Sequence, residues 1–556
     1  MSLSKLELRA KVIDIIDRLN IDISDIQHQM ELTKELKNLG NLELVVHTLL
    51  KELNTDDENK IQKVSFLLLE MNSLEHSKDI LWEYIKSSDS SDRLKEASCI
   101  LLKSLGEHIT AEDLLDYMDD PQKLIDSETQ KLMETALSNP EAQVDLIDFM
   151  FAVSKEEQIS LIKSLVYDYP GDSLANILST VAESIDDESV KELCINILSE
   201  TKSHNALGCL EDILTYSTNA NLRKQASLAL KKLKLLGISS EEGNYGNRGE
   251  RMCEDSKPYK FFTTYPDGVG SQCVVCSRVD SNGLLSVVNT IVDDIDGVID
   301  CFGFFCITEF DFNKILDRLN NQSITIEITP EYAKKILSEA ELLTKKQQYS
   351  IPYEYSCWKH TLYDIHPADL DIDGCVKKWA DEIVLPDYKL IEQSNIFSSW
   401  FFEESDNECS KNMIEDIFSA VEKEESLSVI DIDNKIDEYL VKIFDEKQLD
   451  ILFNRMKTCA YLADIQEDVA LRNSVSFVAE EIKNTEKDSL KDIRFLLNIL
   501  RKTVLEAFLR ELNKHKTNKN SPTNIFTNYK KNTEKLIPED KLNFMIDLMI
   551  EKWSSY

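Results

Sequence analysis

Two aspartate-rich stretches contain the residue types best suited to chemistry. Asp293-Asp-Ile-Asp-Gly297, followed by Asp300, crowds carboxylates into a short turn. Asp369-Leu-Asp-Ile-Asp-Gly374 places an aspartate at every second position before a glycine. Crowded carboxylate oxygens can bind a divalent cation, or serve as a paired general acid and base. The alternative is structural, because aspartates also occupy solvated loops and cap the helices that follow them.

The second stretch resembles the opening of an EF-hand calcium loop over eight residues. The resemblance implies Asp369, Asp371 and Asp373 as ligands, with Val376 at the apolar eighth position. The twelfth position departs from the pattern, since Ala380 stands where a bidentate glutamate is needed. Calcium, or another divalent cation, is therefore one hypothesis, and a cap on the helix from Cys375 is the other. In the first stretch, Asp294 and Asp296 are the corresponding candidates.

Four cysteines in the same region have a spacing that invites comparison with a zinc site. They are Cys273, Cys276, Cys301 and Cys306. The first two flank Val-Val inside a β-rich run, where residues three apart point to opposite faces of a strand. A zinc knuckle needs a tight turn between its ligands. The pattern therefore favours buried strand thiols.

His360 and His366, near Asp364, supply the elements of an acid–base pair. No Gly-x-Ser-x-Gly motif accompanies them, and neither a Gly-x-Gly-x-x-Gly motif after a strand nor a Walker-type phosphate loop is present. The pattern of this segment, which is rich in aromatic residues, favours packing between modules over an acid–base pair. We therefore predict no catalytic residues, and no cofactor other than the cation considered above.

The charge balance bears on the class of partner. The chain of 556 residues carries 101 acidic and 63 basic side chains, for a formal net charge of −38. Such a surface repels nucleic-acid phosphates and anionic lipid. We expect protein partners with a basic surface, and neither nucleic acid nor membrane. The alternative is that the acidic charge serves only solubility. The first residues lack a secretory signal pattern, no run reaches about 18 apolar residues, and the cysteines are scattered, so we expect a soluble, cytoplasmic protein.

The elements that would position these residues change along the chain. Residues 257–395 contain β-rich runs at 259–265, 273–279 and 284–292, with Asn282-Gly283 marking a hairpin. A short helix at 310–319, a strand at 324–328 and a helix from Pro330 to about Gln347 complete a small antiparallel α+β module. A glycine-rich linker, residues 238–256, precedes it.

The first 237 residues show a weak repeat, in which a mostly small residue is followed four positions later by a large apolar one. Its leading positions, 65, 97, 129, 161, 194 and 226, lie 32 or 33 residues apart. The pairs are Ser65/Leu69, Ala97/Leu101, Thr129/Met133, Leu161/Leu165, Cys194/Leu198 and Ala226/Leu230. Such a unit holds two helices, and stacked units bury a common core, which predicts an α-solenoid of helical hairpins. An irregular all-α domain is the alternative.

The closest matches to a known pattern are Asp92-Arg-Leu-Lys-Glu-Ala97 through Gly106, and Asn221-Leu-Arg-Lys-Gln-Ala226 through Leu230. They resemble the second helix of a HEAT repeat, although the arginine is displaced in the first match. The resemblance covers residues 1–237 and implies a protein-binding scaffold.

Helical periodicity returns after residue 395. We predict a bundle at 396–512, a Lys/Asn-rich linker at 513–537 and a terminal amphipathic helix at 538–556. The expected bundle helices are 409–423, 433–444, 446–464, 466–483 and 489–511. The sequence thus predicts a mainly α protein with an α+β insert, acting as a scaffold. The alternative is an enzyme, such as a metal-dependent hydrolase, with its site in residues 257–395.

Overall fold

The computed structural model is mainly helical, with helices before and after one five-stranded antiparallel sheet. This confirms the predicted fold class. The chain forms two compact units, Met1–Leu146 and Ile147–Tyr556. The structure describes residues 4–20, 26–71, 77–109, 116–121, 130, 132–137, 139–238, 256–403, 407–423, 428–520 and 537–553. The predicted linker at 238–256 therefore lies almost wholly outside the described residues.

The first unit is built from paired helices. They are α1 (Lys5–Arg18), α2 (Ile26–Lys37), α3 (Leu42–Leu53), α4 (Glu58–Leu69), α5 (Lys78–Lys86) and α6 (Asp92–Ser104). Helices α3 and α4 form one hairpin, α5 and α6 form the next, and α4 packs on α6. Their apolar faces share a continuous core. A further helix, α7 (Pro140–Ala152), crosses the boundary of the two units.

The second unit begins with more hairpins. They use α8 (Lys155–Asp168), α9 (Gly171–Ser184), α10 (Glu188–Leu198), α11 (His204–Tyr216) and α12 (Ala220–Leu235). Helix α9 pairs with α10, and α11 pairs with α12. Between hairpins, α9 packs on α11 and α10 packs on α12. First helices thus stack on first helices and second on second, as expected for stacked hairpins.

The repeat positions mostly lie in the core on the second helix of each hairpin. Ala97, Leu101, Cys194, Leu198 and Ala226 are all buried. The placement of Leu69 was wrong, because its side chain is 44 % exposed whereas that of its neighbour Leu68 is fully buried. That copy is shifted by one residue on its helix. Thr129 lies outside the described residues.

Glycine ends three helices of the hairpins. Gly40, Gly106 and Gly237 have φ values of 100°, 81° and 86°, after α2, α6 and α12 respectively. A residue with a Cβ is strained in this left-handed region, so glycine stops the helix at little cost.

The sheet contains one strand that the sequence did not reveal. Its strands are β1 (Ser256–Thr264), β2 (Ser271–Asp280), β3 (Leu285–Asp293), β4 (Gly297–Ile307) and β5 (Thr325–Ile328). Their order is β4-β3-β2-β1-β5, with antiparallel neighbours. Strand β4 was missed because two glycines and an aspartate interrupt its apolar run, and its pairing with β3 contains two register shifts.

Helices cover both faces of the sheet. Helix α13 (Glu309–Asn320) packs on one face, where Phe312 joins Val275 and Val287 in a small core. Helices α14 (Pro330–Gln347) and α15 (Tyr353–Trp358) pack against β4. A Cβ on Gly303 of β4 would lie 2.2 Å from a ring carbon of Trp358, so this contact requires glycine. A 3₁₀ helix, Lys359–Leu362, continues from α15.

The remaining helices follow the sheet. They are α16 (Ile372–Ala380), α17 (Tyr388–Gln393), α18 (Glu408–Lys423), α19 (Val429–Ile443), α20 (Glu446–Ile465), α21 (Val469–Asn484), α22 (Arg494–Asn520) and α23 (Glu539–Trp553). Five of them, α18 to α22, correspond to the five helices expected within residues 396–512, with shifted ends. Helix α19 starts early because Ser428 and Asp431 form a capping box. Helix α22 runs to Asn520, so residues 513–520 are helical and not part of a linker; residues 521–536 lie outside the described residues. Among the helices described, none has the length and apolar character to cross a membrane.

Candidate functional site

A polar cavity of the second unit lies where the hairpins meet the α+β module. It has a volume of about 510 Å³ and opens between α9, α11, α14 and the segment that follows α15. Helix α14 contributes Lys334, Ser338, Glu341 and Lys345, whose spacing of four, three and four residues places them on one face. Ser179, Glu183, Asn205, Cys209 and Asp212 line the opposite side.

Two lysines and three carboxylates form a connected ion-pair network beside this cavity. Lys359 Nζ lies 2.7 Å from Glu183 and 3.6 Å from Glu341. Lys345 Nζ lies 2.7 Å from Glu341 and 2.6 Å from Asp212. Burial by itself would raise the pKa of Glu341, but the charges of Lys359 and Lys345 lower it to about 2. Glu341 is therefore ionised at neutral pH and holds both lysines.

The network fastens α15 and its continuation to the hairpins. Ser356 Oγ donates a hydrogen bond to Glu183 at 2.9 Å, and Tyr355 Oη donates one to Glu341 at 3.2 Å. At the start of α15, Tyr353 Oη donates a hydrogen bond to Asp148 of α7. The Tyr353 ring also packs edge to face against the ring of Phe151. The array and the module are thus joined by oriented, partly buried polar contacts.

A third lysine of the cavity differs from the other two. No carboxylate among the described residues lies within ion-pair distance of Lys334, whereas Lys345 and Lys359 each bridge two carboxylates. The Lys334 Nζ lies 5.6 Å from the centroid of the Tyr363 ring. Burial lowers the pKa of the Lys334 amine, partly offset by the charge of Glu341. More of this amine is uncharged at neutral pH than in an exposed lysine.

His360 borders the same cavity and is 1 % exposed. Burial, assisted by the charge of Lys359, lowers its pKa to about 3. Unfolding exposes the imidazole, whose ordinary pKa is about 6.5. Since the folded pKa is the lower one, the neutral imidazole stabilises the fold above about pH 6.5, and this contribution is lost as the pH falls toward 3.

We therefore expect His360→Gln to flatten the decline of stability between about pH 7 and pH 4.5. Urea unfolding midpoints across this range measure the slope. His366→Gln removes an exposed histidine of the same segment and is the matched control. A His360→Gln protein whose midpoint falls as steeply as that of the parent would contradict the assignment.

The first aspartate-rich stretch forms the turn between β3 and β4. Asp294 makes a bidentate ion pair with Arg455 of α20, at 2.6 and 2.8 Å. Asp293 accepts backbone N–H bonds from Ile295 and Asp296. Asp300 lies in β4. The candidate Asp294 is therefore already bound to a buried guanidinium, and burial raises the pKa of its carboxyl despite that pairing.

The second stretch starts a helix. Helix α16 begins at Ile372, inside the eight residues that resemble a calcium loop. Asp371 is the N-cap residue and accepts a hydrogen bond from the Gly374 N–H at 2.9 Å, while Asp373 pairs with Lys457 at 2.8 Å. Asp369 precedes them in the approach to the helix. These contacts favour the capping alternative, since cation binding would require the first turn to unwind.

The two stretches do approach one another. A second cavity, of about 460 Å³, is lined by Asp293, Asp294, Asp371 and Asp373 together with Arg455 and other residues of α14 and α20. Asp294 and Asp373 face basic partners across it. In the described parts of the chain, no group of three or more His, Cys, Asp or Glu side chains is placed to hold a metal ion.

The four cysteines of the module lie in strands, although only the strand of Cys273 and Cys276 was predicted. Cys273 and Cys276 belong to β2, and Cys273 Sγ donates to Asn289 Oδ1 at 2.6 Å. Cys301 and Cys306 belong to β4. Burial raises the pKa of Cys273 to about 11 and that of Cys301 to about 12, so both are protonated thiols at neutral pH.

Asp364 is engaged by a buried arginine. Arg278 of β2 donates to both carboxylate oxygens of Asp364, at 2.8 and 2.9 Å, and to the backbone carbonyls of Ser256 and Thr361. The carboxylate therefore positions the segment after α15 against the sheet.

The network and Lys334 were not identified from the sequence. The signal available was the spacing of Lys334, Ser338, Glu341 and Lys345 on one face of α14, opposite the apolar residues of that helix. Comparisons with protein-family models, with curated proteins and with solved structures found no match. The functional inference is therefore drawn from the residues of this chain.

Proposed function

We propose that the protein is a cytoplasmic protein-binding scaffold, in which acidic first helices of the hairpin array hold basic segments of polypeptide. One observation carries this proposal. Asp148, Glu183 and Asp212 lie on α7, α9 and α11, which alternate with the second helices of the array. They bind Tyr353, Lys359 and Lys345 of the chain itself.

The array thus already binds one segment of polypeptide through carboxylates. The chemistry is the one expected for an external partner of a chain with net charge −38, namely lysines and hydroxyl groups received by glutamate and aspartate. In the first unit, the first helices α3 and α5 carry the exposed carboxylates Glu43 and Asp79. We propose that this first unit receives the basic surface of a separate protein.

The test is capture of partners by the full-length protein at low and high salt. We expect the captured proteins to be basic and to be lost as the ionic strength rises, since exposed charges are screened. The double variant Glu43→Lys/Asp79→Lys should capture severalfold less of these basic proteins at low salt.

The matched control is Glu408→Lys/Asp540→Lys, which makes the same charge changes in the first turns of two bundle helices, α18 and α23. Reversing an acid in a first turn costs about 0.3–1 kcal/mol of helix stability, so both variants must first show comparable melting temperatures. Equal capture by both double variants would refute the assignment of the first unit.

An enzyme with its site in residues 257–395 is the second candidate function. The observation that favours it is the cavity bordered by α14, which contains Lys334 without an ion-pair partner among the described residues. The aspartates suggested for a metal-dependent hydrolase do not favour it, because Asp294 and Asp373 are paired with Arg455 and Lys457.

A further inference from the structure

We propose that the cavity between α9, α11 and α14 binds a small neutral hydroxyaldehyde or hydroxyketone, and that Lys334 Nζ holds its carbonyl carbon as an imine. The cavity volume of about 510 Å³ is within the range of small-molecule sites. The proposal is independent of the scaffold function, since it concerns a different surface and a different class of ligand.

Lys334 is the lysine of this cavity that is available to react. Lys345 and Lys359 are each held between two carboxylates, and an ammonium group so held is not nucleophilic. Lys334 contacts the face of the Tyr363 ring and borders the cavity. The nearby cation Lys359 disfavours a further positive charge, whereas Glu341 and Asp364 favour it, so desolvation is the main reason that the pKa of this amine is lowered. These features resemble the general means by which proteins activate a lysine amine, namely desolvation and a neighbouring cation.

The other polar atoms of the cavity select the rest of the ligand. Ser179 Oγ and Asn205 Oδ1 are buried and make no hydrogen bond to any described residue. Both residues line the cavity wall opposite Lys334. Buried polar groups without partners are costly, so a ligand gains affinity if a side-chain rotation turns either atom toward the cavity and a ligand hydroxyl group pairs with it. Hydroxyl groups can donate to Asn205 Oδ1 and exchange hydrogen bonds with Ser179 Oγ.

The charges of the cavity exclude an anionic ligand. Four carboxylates face three lysines along its lining; they are Glu183, Glu211, Asp212 and Glu341, against Lys334, Lys345 and Lys359. A phosphate or carboxylate brought into this space would meet a net negative charge. A neutral carbonyl compound bearing hydroxyl groups does not.

The chemical step is a condensation. The uncharged Nζ attacks the carbonyl carbon, an N–C bond forms, and one proton passes from nitrogen to oxygen to give a carbinolamine. The hydroxyl group then leaves as water with the second amine proton as the C=N bond forms. The products are an imine and one water molecule, so no oxidant or reductant is consumed.

The experiment uses glyceraldehyde with the full-length protein at neutral pH. Sodium cyanoborohydride, added as the reductant, converts any imine into a stable secondary amine, which peptide mass spectrometry locates. Lys335 is the internal reference, because it is the next residue of α14 but is paired with Glu339. We expect Lys334 to be modified severalfold faster than Lys335, because burial lowers the pKa of the Lys334 amine and leaves more of it uncharged. We also expect the rate of Lys334 modification to saturate as the glyceraldehyde concentration rises.

Two variants separate binding from mere reactivity. Ser179→Ala retains the amine and removes the hydroxyl group, so it should weaken saturation by glyceraldehyde without slowing modification of Lys334 by formaldehyde. Lys334→Gln should abolish the fast modification by glyceraldehyde. An unchanged urea unfolding midpoint shows that this variant is still folded. Modification of Lys334 no faster than Lys335, or a rate linear in glyceraldehyde up to high concentration, would overturn the proposal.

Discussion

Replacing Lys359 with methionine is expected to lower the free energy of unfolding by about 3–5 kcal/mol, the cost of leaving a buried charge without its partner. The side chains of Lys359 and Glu183 are each 9 % exposed, and their charged atoms lie 2.7 Å apart. Methionine fills a similar volume but leaves Glu183 with the Ser356 hydroxyl as its remaining hydrogen-bond donor in this network. Urea denaturation followed by tryptophan fluorescence measures the loss, and Trp358 reports locally because it adjoins Lys359 in the chain.

Two companion variants test the physical reason. Lys359→Met/Glu183→Gln removes both charges of the pair and should recover part of the stability lost in the single variant. Lys335→Met breaks a pair with the largely exposed Glu339 and should cost at most about 1 kcal/mol. A loss below about 1 kcal/mol for Lys359→Met would show that the buried network contributes little.

Arg455→Met is the second substitution with a large expected effect, again about 3–5 kcal/mol. The guanidinium is 8 % exposed, makes the bidentate pair with Asp294, and donates to the backbone carbonyls of Gly268 and Val269. It therefore ties the β1–β2 turn, the β3–β4 turn and α20 together. Methionine would leave the partly exposed Asp294 carboxylate and two carbonyl groups without these donors, which is costly.

Lys457→Met is the matched control on the same helix. Its partner Asp373 is 54 % exposed, so water can replace the lost contact, and a change below about 1 kcal/mol is expected. The comparison is made by urea denaturation under identical conditions. Similar losses for both variants would mean that burial does not decide the strength of these pairs.

The elements of the fold were largely predictable because local patterns determine them. Helical spacing predicted α13 and α14 of the module and the helices after residue 395, and the Asn282-Gly283 turn predicted the β2–β3 hairpin. Strand β4 escaped because its glycines serve a tertiary contact, that of Gly303 with Trp358, which no local pattern encodes. Leu69 was misplaced for a similar reason. Its neighbour Leu68 faces the core instead, and the repeat spacing alone did not distinguish the two positions.

The candidate sites were less predictable because pairing is non-local. Crowded aspartates suggested a cation site, but their partners, Arg455 and Lys457, lie more than 80 residues away along the chain. Conversely, the contact of Lys359 with Glu183 joins the α+β module to the hairpins across the predicted linker. The residue types indicated which chemistry was possible. The packing of helices distant in sequence determined which charged side chains form ion pairs.

The most direct test of the scaffold function is to map where a partner touches the chain. The tagged full-length protein is captured from its native cells, cross-linked through carboxylate and lysine side chains, and analysed by mass spectrometry. The proposed function predicts that cross-links to a basic partner concentrate on α3, α5 and their neighbours in the first unit. Cross-links confined to residues 257–395, with none on the hairpins, would contradict it.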